Sequence, residues 1–277
     1  MKTKISFFTI LAIGLIGLLS CKKDKEVTPA GTTSSTEELH QKYGEPTKSY
    51  TIHASSGGSF TTEKGTKVTI PANCFVNSGN QIISGDVTIH FKDITSKSEM
   101  LFSDMATIFH DGTPLVSGGE FFIQAQAGDT AVQIAAGAKI DIEQPFKGQG
   151  DTAMAPMILP KDTAQGGQAG QNPGWIVNQN NTVTVSGSSY VFSLYQFDYP
   201  LSAGTWCNSD NPYYFSAFTQ TSLTVHCNTS YNPDVFLLFH DENSMIHVYW
   251  GFTGDEYIYS YAPIGKECTV VAVGYIN

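Results

Sequence analysis

Residues 86–92 read DVTIHFK. Successive side chains of an extended chain point to opposite faces, so Val87, Ile89 and Phe91 share one side and Thr88, His90 and Lys92 the other. One apolar and one polar face is the pattern of an antiparallel strand that packs on a core and meets water behind it. The same character recurs outward in both directions. SYTIHA (49–54), TKVTI (66–70), MATIF (105–109), FFIQAQ (121–126) and AKIDIEQ (138–144) are short and β-branched or alternating, and GG, SGN, DG and AGD turns separate them. GWIVN (174–178), TVTVS (182–186), YVFSLYQF (190–197), TSLTVHC (221–227), DVFLLFH (234–240), MIHVYW (245–250), EYIYSYA (256–262) and CTVVAVGY (268–275) continue it. No segment sustains a helical period, although Glu37 to Tyr43 has room for a turn or two. Many short strands at this spacing predict an all-β protein built from antiparallel β-sandwiches.

Residues 147–173, KGQGDTAMAPMILPKDTAQGGQAGQNP, break the pattern. Gly, Gln, Pro and Ala dominate there, which reads as a long loop or linker, with AMAPMILP (153–160) as an apolar island able to dock. The expected organisation is therefore a β-sandwich domain over 48–146, a linker over 147–173 and a second, aromatic-rich β-sandwich domain over 174–277. Residues 21–47 are polar and poor in bulky apolar groups, as in a flexible stalk.

The chain opens differently. Lys2 and Lys4 precede an uncharged apolar run from Ile5 to Leu19. That run is about fifteen residues long, short of the roughly twenty that cross a bilayer as a helix. A basic start, a short apolar middle and a small residue at the end make a secretory signal over residues 1–20. Leu18-Leu19-Ser20-Cys21 resembles the lipobox of bacterial lipoproteins. The resemblance implies that the Cys21 sulfur takes a diacylglyceryl group, that the signal is removed, and that several acyl chains anchor the mature chain to the lipid bilayer. Lys22-Lys23-Asp24-Lys25-Glu26 resembles the charged tract behind the lipid cysteine of Bacteroidota surface lipoproteins. The expected location is the outer membrane, at the cell surface, with the periplasmic face as the alternative.

The chain carries 15 Lys+Arg against 25 Asp+Glu and no arginine. Loss of Lys2 and Lys4 with the signal would take the formal charge from −10 to −12. An acidic chain without guanidinium groups is ill suited to nucleic acid or phosphate, and no nucleic-acid partner is expected. Beyond Cys21 the cysteines are Cys74, Cys207, Cys227 and Cys268. They form no CxxC pair, and the histidines stand at no zinc-like interval, so no metal is expected. One disulfide among Cys207, Cys227 and Cys268 fits an oxidising compartment, as do buried free thiols.

GGSFTTEKGTKVTIPANCF (57–75), followed by SGDVTIHF (84–91), resembles the start of the ZU-five-type β-sandwich of ankyrins and netrin receptors. The matching positions are Gly57, Gly58, Gly65, Val68, Ile70, Pro71, Ala72, Phe75, Gly85, Val87 and Ile89. These are turn glycines, inward apolar residues and an edge proline, so they carry fold rather than chemistry. TWCNSD (205–210), DVFLLFHDENSMI (234–246) and APIGKECTVVAVG (262–274) are similar to a domain of Bacteroidota surface lipoproteins. The resemblance implies a binding or envelope-structural role with a protein or glycan partner. Some members of the ZU-five-type family cut themselves at His-Phe-Ser. Here His90-Phe91 is followed by Lys92, and the resemblance implies no self-cleavage.

Catalytic motifs are missing. No GxSxG elbow, HExxH, P-loop or dinucleotide fingerprint occurs, and GGQAGQ in the linker lacks a βα frame. No enzyme activity and no cofactor are expected. The remaining alternatives are three. A hydrolase would use Asp241, Glu242 and His247, although HDENSM reads first as a hairpin turn and His247 as a solvent-facing residue. A glycan platform would use Trp206, Tyr231, Trp250, Tyr257, Tyr259 and Tyr261, since alternation puts the last three on one face of a strand. Finally, Asp-Thr-Ala occurs at Thr130, Thr152 and Thr163 and is similar to the O-glycosylation sequon of Bacteroidota exported proteins.

Overall fold

The computed structural model describes residues 36–160, 174–195, 201–227, 233–248 and 256–274. Helix α1 (Thr36–Tyr43) leads into β1 (Lys48–His53), β2 (Gly58–Thr61), β3 (Lys67–Ile70), the short β4 (Phe75–Val76) and β5 (Asp86–Ile94). Helix α2 (Lys97–Ser103) is followed by β6 (Val116–Ala127), the short β7 (Thr130–Ala131) and β8 (Gln133–Ile134), and β9 (Ile140–Pro145). Then come β10 (Ala155–Ile158), β11 (Ile176–Val177), β12 (Thr182–Ser186), β13 (Ser189–Leu194) and β14 (Thr205–Asn211). The last strands are β15 (Gln220–His226), β16 (Asp234–Phe239), β17 (Met245–Val248), β18 (Glu256–Pro263) and β19 (Cys268–Val273). The protein is all-β in class, and among the described residues the named strands pair antiparallel throughout.

DVTIHFK behaves as its alternation dictates. Val87, Ile89 and Phe91 are fully buried while Thr88, His90 and Lys92 are half-buried. β5 pairs β1 on one side and β6 on the other. The sheet continues β1-β5-β6-β14-β10-β11. A second sheet, β12-β13-β9-β3-β2, packs across its face. Between them lies a first core containing Val68, Ile70, Ile89, Phe91, Phe121, Ile123, Ile142 and Phe192. Phe91 and Phe121 stack at 5.6 Å between centroids, and Phe192 meets Phe121 edge-on at 5.1 Å. Face-to-face sheets with interdigitated inner side chains make a β-sandwich.

The central sheet is apolar on its other face too. Ile94, Met157 and Trp206 join a second core with α2, with Trp175 and with β16, β17 and β18. Alternation along β10 serves both cores at once, Met157 facing the second and Ile158 the first. The central sheet is thus a partition shared by two cores.

This overturns the domain boundary read from the sequence. β13 pairs β9, and β14 pairs β6, so strands from 174–277 complete sheets begun in 48–146. The linker contributes as well, because its apolar island becomes β10 against β14. The described residues belong to one compact unit. Three local readings change too. MATIF is not a regular strand: Thr107 is clamped to β17 by hydrogen bonds in both directions with Met245, and Ile108 and Phe109 make single bridges. α2 is a helix closed by a capping box, in which Ser96 accepts from the Glu99 N–H and Glu99 accepts from the Ser96 N–H. β14 is a full strand despite its Asn, Ser and Asp.

Candidate functional site

The least ordinary chemistry sits where β6 crosses β14, around Ser117-Gly118-Gly119-Glu120. Asn208 lies opposite Glu120 but Asp210 lies opposite Ser117, so β6 carries one residue more than its partner here. This is a β-bulge, and it re-aims side chains. In a regular strand Ser117 and Glu120 would face opposite ways; the extra residue puts them on one side. Glycine is needed at the bulge. Gly119 has φ +133°, and a Cβ there would lie 2.7 Å from Gln144 Nε2. A Cβ on Gly118 would lie 2.7 Å from the Tyr190 ring and 2.9 Å from the Ser209 carbonyl oxygen.

The result is a buried polar group of four. Glu120, Asn208 and Asp210 have no exposed surface, and Ser117 has almost none. Asn208 Nδ2 donates to Asp210 Oδ2 at 2.8 Å and to Glu120 Oε1 at 3.4 Å. Ser117 Oγ donates to Asn208 Oδ1 at 2.8 Å and accepts from the Gly119 N–H at 3.1 Å. Two carboxyls therefore converge on one amide. Their outer oxygens, Glu120 Oε2 and Asp210 Oδ1, have no hydrogen-bond partner among the described residues. Burial pushes both carboxyls well above the usual carboxylate range; Asp210 adds its charge against Glu120, and the Ser117 hydroxyl offsets only part for Asp210. The hairpin turn from β16 to β17 caps the group. The Ser117 N–H donates to the Asn243 carbonyl, and Asn243 Nδ2 donates to the carbonyls of Ser117 and Thr95. Such a group can hold protons or a small ion, but it presents no cleft to a larger substrate.

The three residues of the hydrolase alternative do not assemble. HDENSM is a turn, as its Asp and Asn favour, closing β16 onto β17. Asp241 is exposed at its tip while Glu242 is buried. Glu242 Oε1 accepts from Tyr214 OH at 2.7 Å and from Lys266 Nζ, whose ammonium also lies 5.0 Å from the Tyr214 ring centre and 4.6 Å from that of Phe218. His247 is engaged elsewhere. It is buried rather than solvent-facing, with Nδ1 3.1 Å from Asp104 and Nε2 3.4 Å from Asp234. Burial opposes the charged ring, but the hydrogen bonds and charges of Asp104 and Asp234 outweigh it and push His247 up to about 9. These are ties between elements: Asp104 ends α2, Asp234 starts β16, and Lys266 leads into β19.

The glycan platform loses its row of rings. Tyr257 and Tyr259 are buried and Tyr261 is half-buried, all packed on the second core, and Tyr259 OH donates to the Gly112 carbonyl at 3.1 Å. Alternation does place the three rings on one face of the strand, but that face points inward. Trp206 is half-buried against Phe122, under the ammonium of Lys92. Tyr231 and Trp250 lie outside the described residues, as do Cys21 and Thr163. Thr130, on the β6–β7 hairpin, and Thr152 are exposed. Asp151, beside Thr152, is fixed by an Asn211 Nδ2 bond of 2.7 Å and by its own N–H to Tyr190 OH at 2.9 Å.

Of the two cysteine arrangements the sequence allows, the structure has free thiols and no disulfide at Cys74, Cys207, Cys227 and Cys268. Cys207 lines the first core, with Cys74, whereas Cys227 and Cys268 pack against the second, so the partition separates it from the other two. Burial pushes the Cys74 thiol up to about 12 and raises Cys207 and Cys268, which keeps these three as thiols rather than reactive thiolates.

Among the described residues no group of three or more His, Cys, Asp and Glu side chains is gathered to hold a metal ion, and no helix is long and apolar enough to cross a membrane. No protein-family model matches the chain, and neither the curated proteins nor the solved structures contain a match. Sequence reading passed over Ser117, Glu120, Asn208 and Asp210. The available cue was SGGE inside a long β run, since paired glycines in a strand mark a bulge.

Proposed function

We propose that this chain is a non-enzymatic lipoprotein of the bacterial outer membrane, anchored through acylated Cys21, whose β body serves protein interaction, adhesion or envelope structure. The observation that carries the reading is the passage from an uncharged apolar run through Leu18-Leu19-Ser20-Cys21 into Lys22-Lys23. The arrangement of the body supports it. Two of the three residues that a hydrolase would use, Glu242 and His247, are spent on ties between elements. The resemblance of residues 57–91 to ZU-five-type sandwiches favours a protein as partner. The charged residues behind Cys21 favour the outward-facing side of the membrane, and exposed Thr130 and Thr152 suit O-glycosylation there.

Protease treatment of intact native cells tests the placement. Loss of the body under shaving, with a periplasmic control intact, supports surface display. Protection until the outer membrane is breached moves it to the periplasmic face. Recovery in the soluble fraction after gentle lysis ends the proposal. In vivo cross-linking through residues on the exposed strands then tests the binding role: one defined adduct supports it, and a monomeric pattern from every position contradicts it.

A further inference from the structure

We propose that Glu120 and Asp210, with Ser117 and Asn208, form a buried site for one divalent, oxygen-preferring cation of the calcium class. Two carboxyls without exposed surface face the same amide, and each keeps one oxygen with no partner. Native interiors pair buried carboxylates, protonate them or give them to an ion. The hydrogen bonds argue against a proton held between the two. Among the described residues, Glu120 Oε2 and Asp210 Oδ1 make no hydrogen bond, to each other or to any other group. The carboxyls converge without touching, and a positive ion between them would satisfy both outer oxygens.

The donor set selects the class of ion. Glu120, Asp210 and the turned Asn208 amide offer oxygen, and no imidazole or thiol is among them, which suits a hard cation. Two carboxylates balance a divalent charge. Asn208 completes the set by a half-turn of its amide, which turns Oδ1 towards the carboxylates while Nδ2 donates to Ser117 Oγ, so Ser117 holds the amide rather than the ion. The hydroxyl can take that bond, since it both donates and accepts. The bulge supports the set, because it brings Ser117 to the face of Glu120, where its hydroxyl can fix the amide. The site lies on the face of the shared partition turned to the second core, beneath the β16–β17 hairpin turn. An ion there would join the central sheet to the hairpin that covers it, and it would exchange slowly because Asn243 closes the way out.

The test uses the full chain in detergent, with Ca2+ as the probe. The protein is unfolded in EGTA, refolded with or without Ca2+, dialysed, and assayed for bound metal and thermal midpoint. About one Ca2+ per chain is expected. With Ca2+ a hundredfold above its dissociation constant, the midpoint should rise by about 5–10 °C over the EGTA sample. The Glu120→Gln/Asp210→Asn double variant keeps the shape and the capacity to bond; it should lose both the metal and the Ca2+-dependent rise. Metal-free wild-type protein with the same midpoint in Ca2+ and EGTA would overturn the proposal, whatever the variant does. So would a rise of equal size in the double variant.

Discussion

His247 offers the sharpest test of how the second core is held. Its ring bridges Asp104 at the end of α2 and Asp234 at the start of β16, and it lies 4.5 Å from the Phe236 ring centre. The side chain is 10% exposed, so solvent screens it little. The folded ring titrates near 9 against an ordinary value of 6.5, a difference equivalent to about 3 kcal/mol. Asp104 is 42% exposed, and screening there reduces the expected contribution to roughly 2 kcal/mol. The raised value fixes the sign. The contribution is complete below the unfolded value of 6.5 and is lost as pH rises through about 9. Urea unfolding from about pH 6 to pH 10 should therefore show the wild type losing roughly 2 kcal/mol more than a His247→Gln variant, most of it above pH 7. The comparison cancels lysine and tyrosine titrations common to both chains. Parallel curves across that range would refute the reasoning and show that the triad adds nothing when charged.

Other consequences follow from packing and exposure. Gly119→Ala forces a Cβ into a φ of +133° and to within 2.7 Å of Gln144 Nε2, and should cost about 1–3 kcal/mol by urea midpoint; an unchanged midpoint would deny the bulge. Tyr259→Ala removes a buried ring of the second core and should lower stability by about 3 kcal/mol, and a fully stable variant that had lost sugar binding would restore the platform reading. Protein from the native host should exceed the mass of lipid plus polypeptide if Thr130 and Thr152 carry glycans, with the excess reduced in a Thr130→Ala/Thr152→Ala variant. A mass equal to lipid plus polypeptide alone would remove glycosylation.

Strand identity was legible wherever the alternation was clean. β5 could be read residue by residue because its inward positions are Val, Ile and Phe and its outward ones are polar. β14 could not. Its sequence, TWCNSDN, lacks the β-branched pattern of a strand, and its burial comes from neighbours on both faces rather than from its own hydrophobicity. The same property hid the partition. A sheet covered on both sides needs partners from distant parts of the chain, and composition marks 147–173 as a linker without showing that 155–158 pairs with 205–211. The short α2 carried a readable cue in Ser96-x-x-Glu99, but seven residues are too few for a periodicity to register. For the candidate site, the sequence showed a serine, two glycines and a glutamate in one place and an asparagine and aspartate some ninety residues later. Only the bulge register brings them together. His247 illustrates the reverse case: its alternation was visible, but Asp104 and Asp234 reach it across tertiary contacts that no local pattern encodes.

The account depends most on attachment of the chain to a bilayer. Native cells grown with labelled palmitate, followed by purification of the chain and separation of membranes from soluble protein, address it directly. The wild type is predicted to carry the label and sediment with the outer membrane, and Cys21→Ala to lose the label and the membrane association. An unlabelled wild type, or a Cys21→Ala chain that still sediments with the membrane, would contradict it.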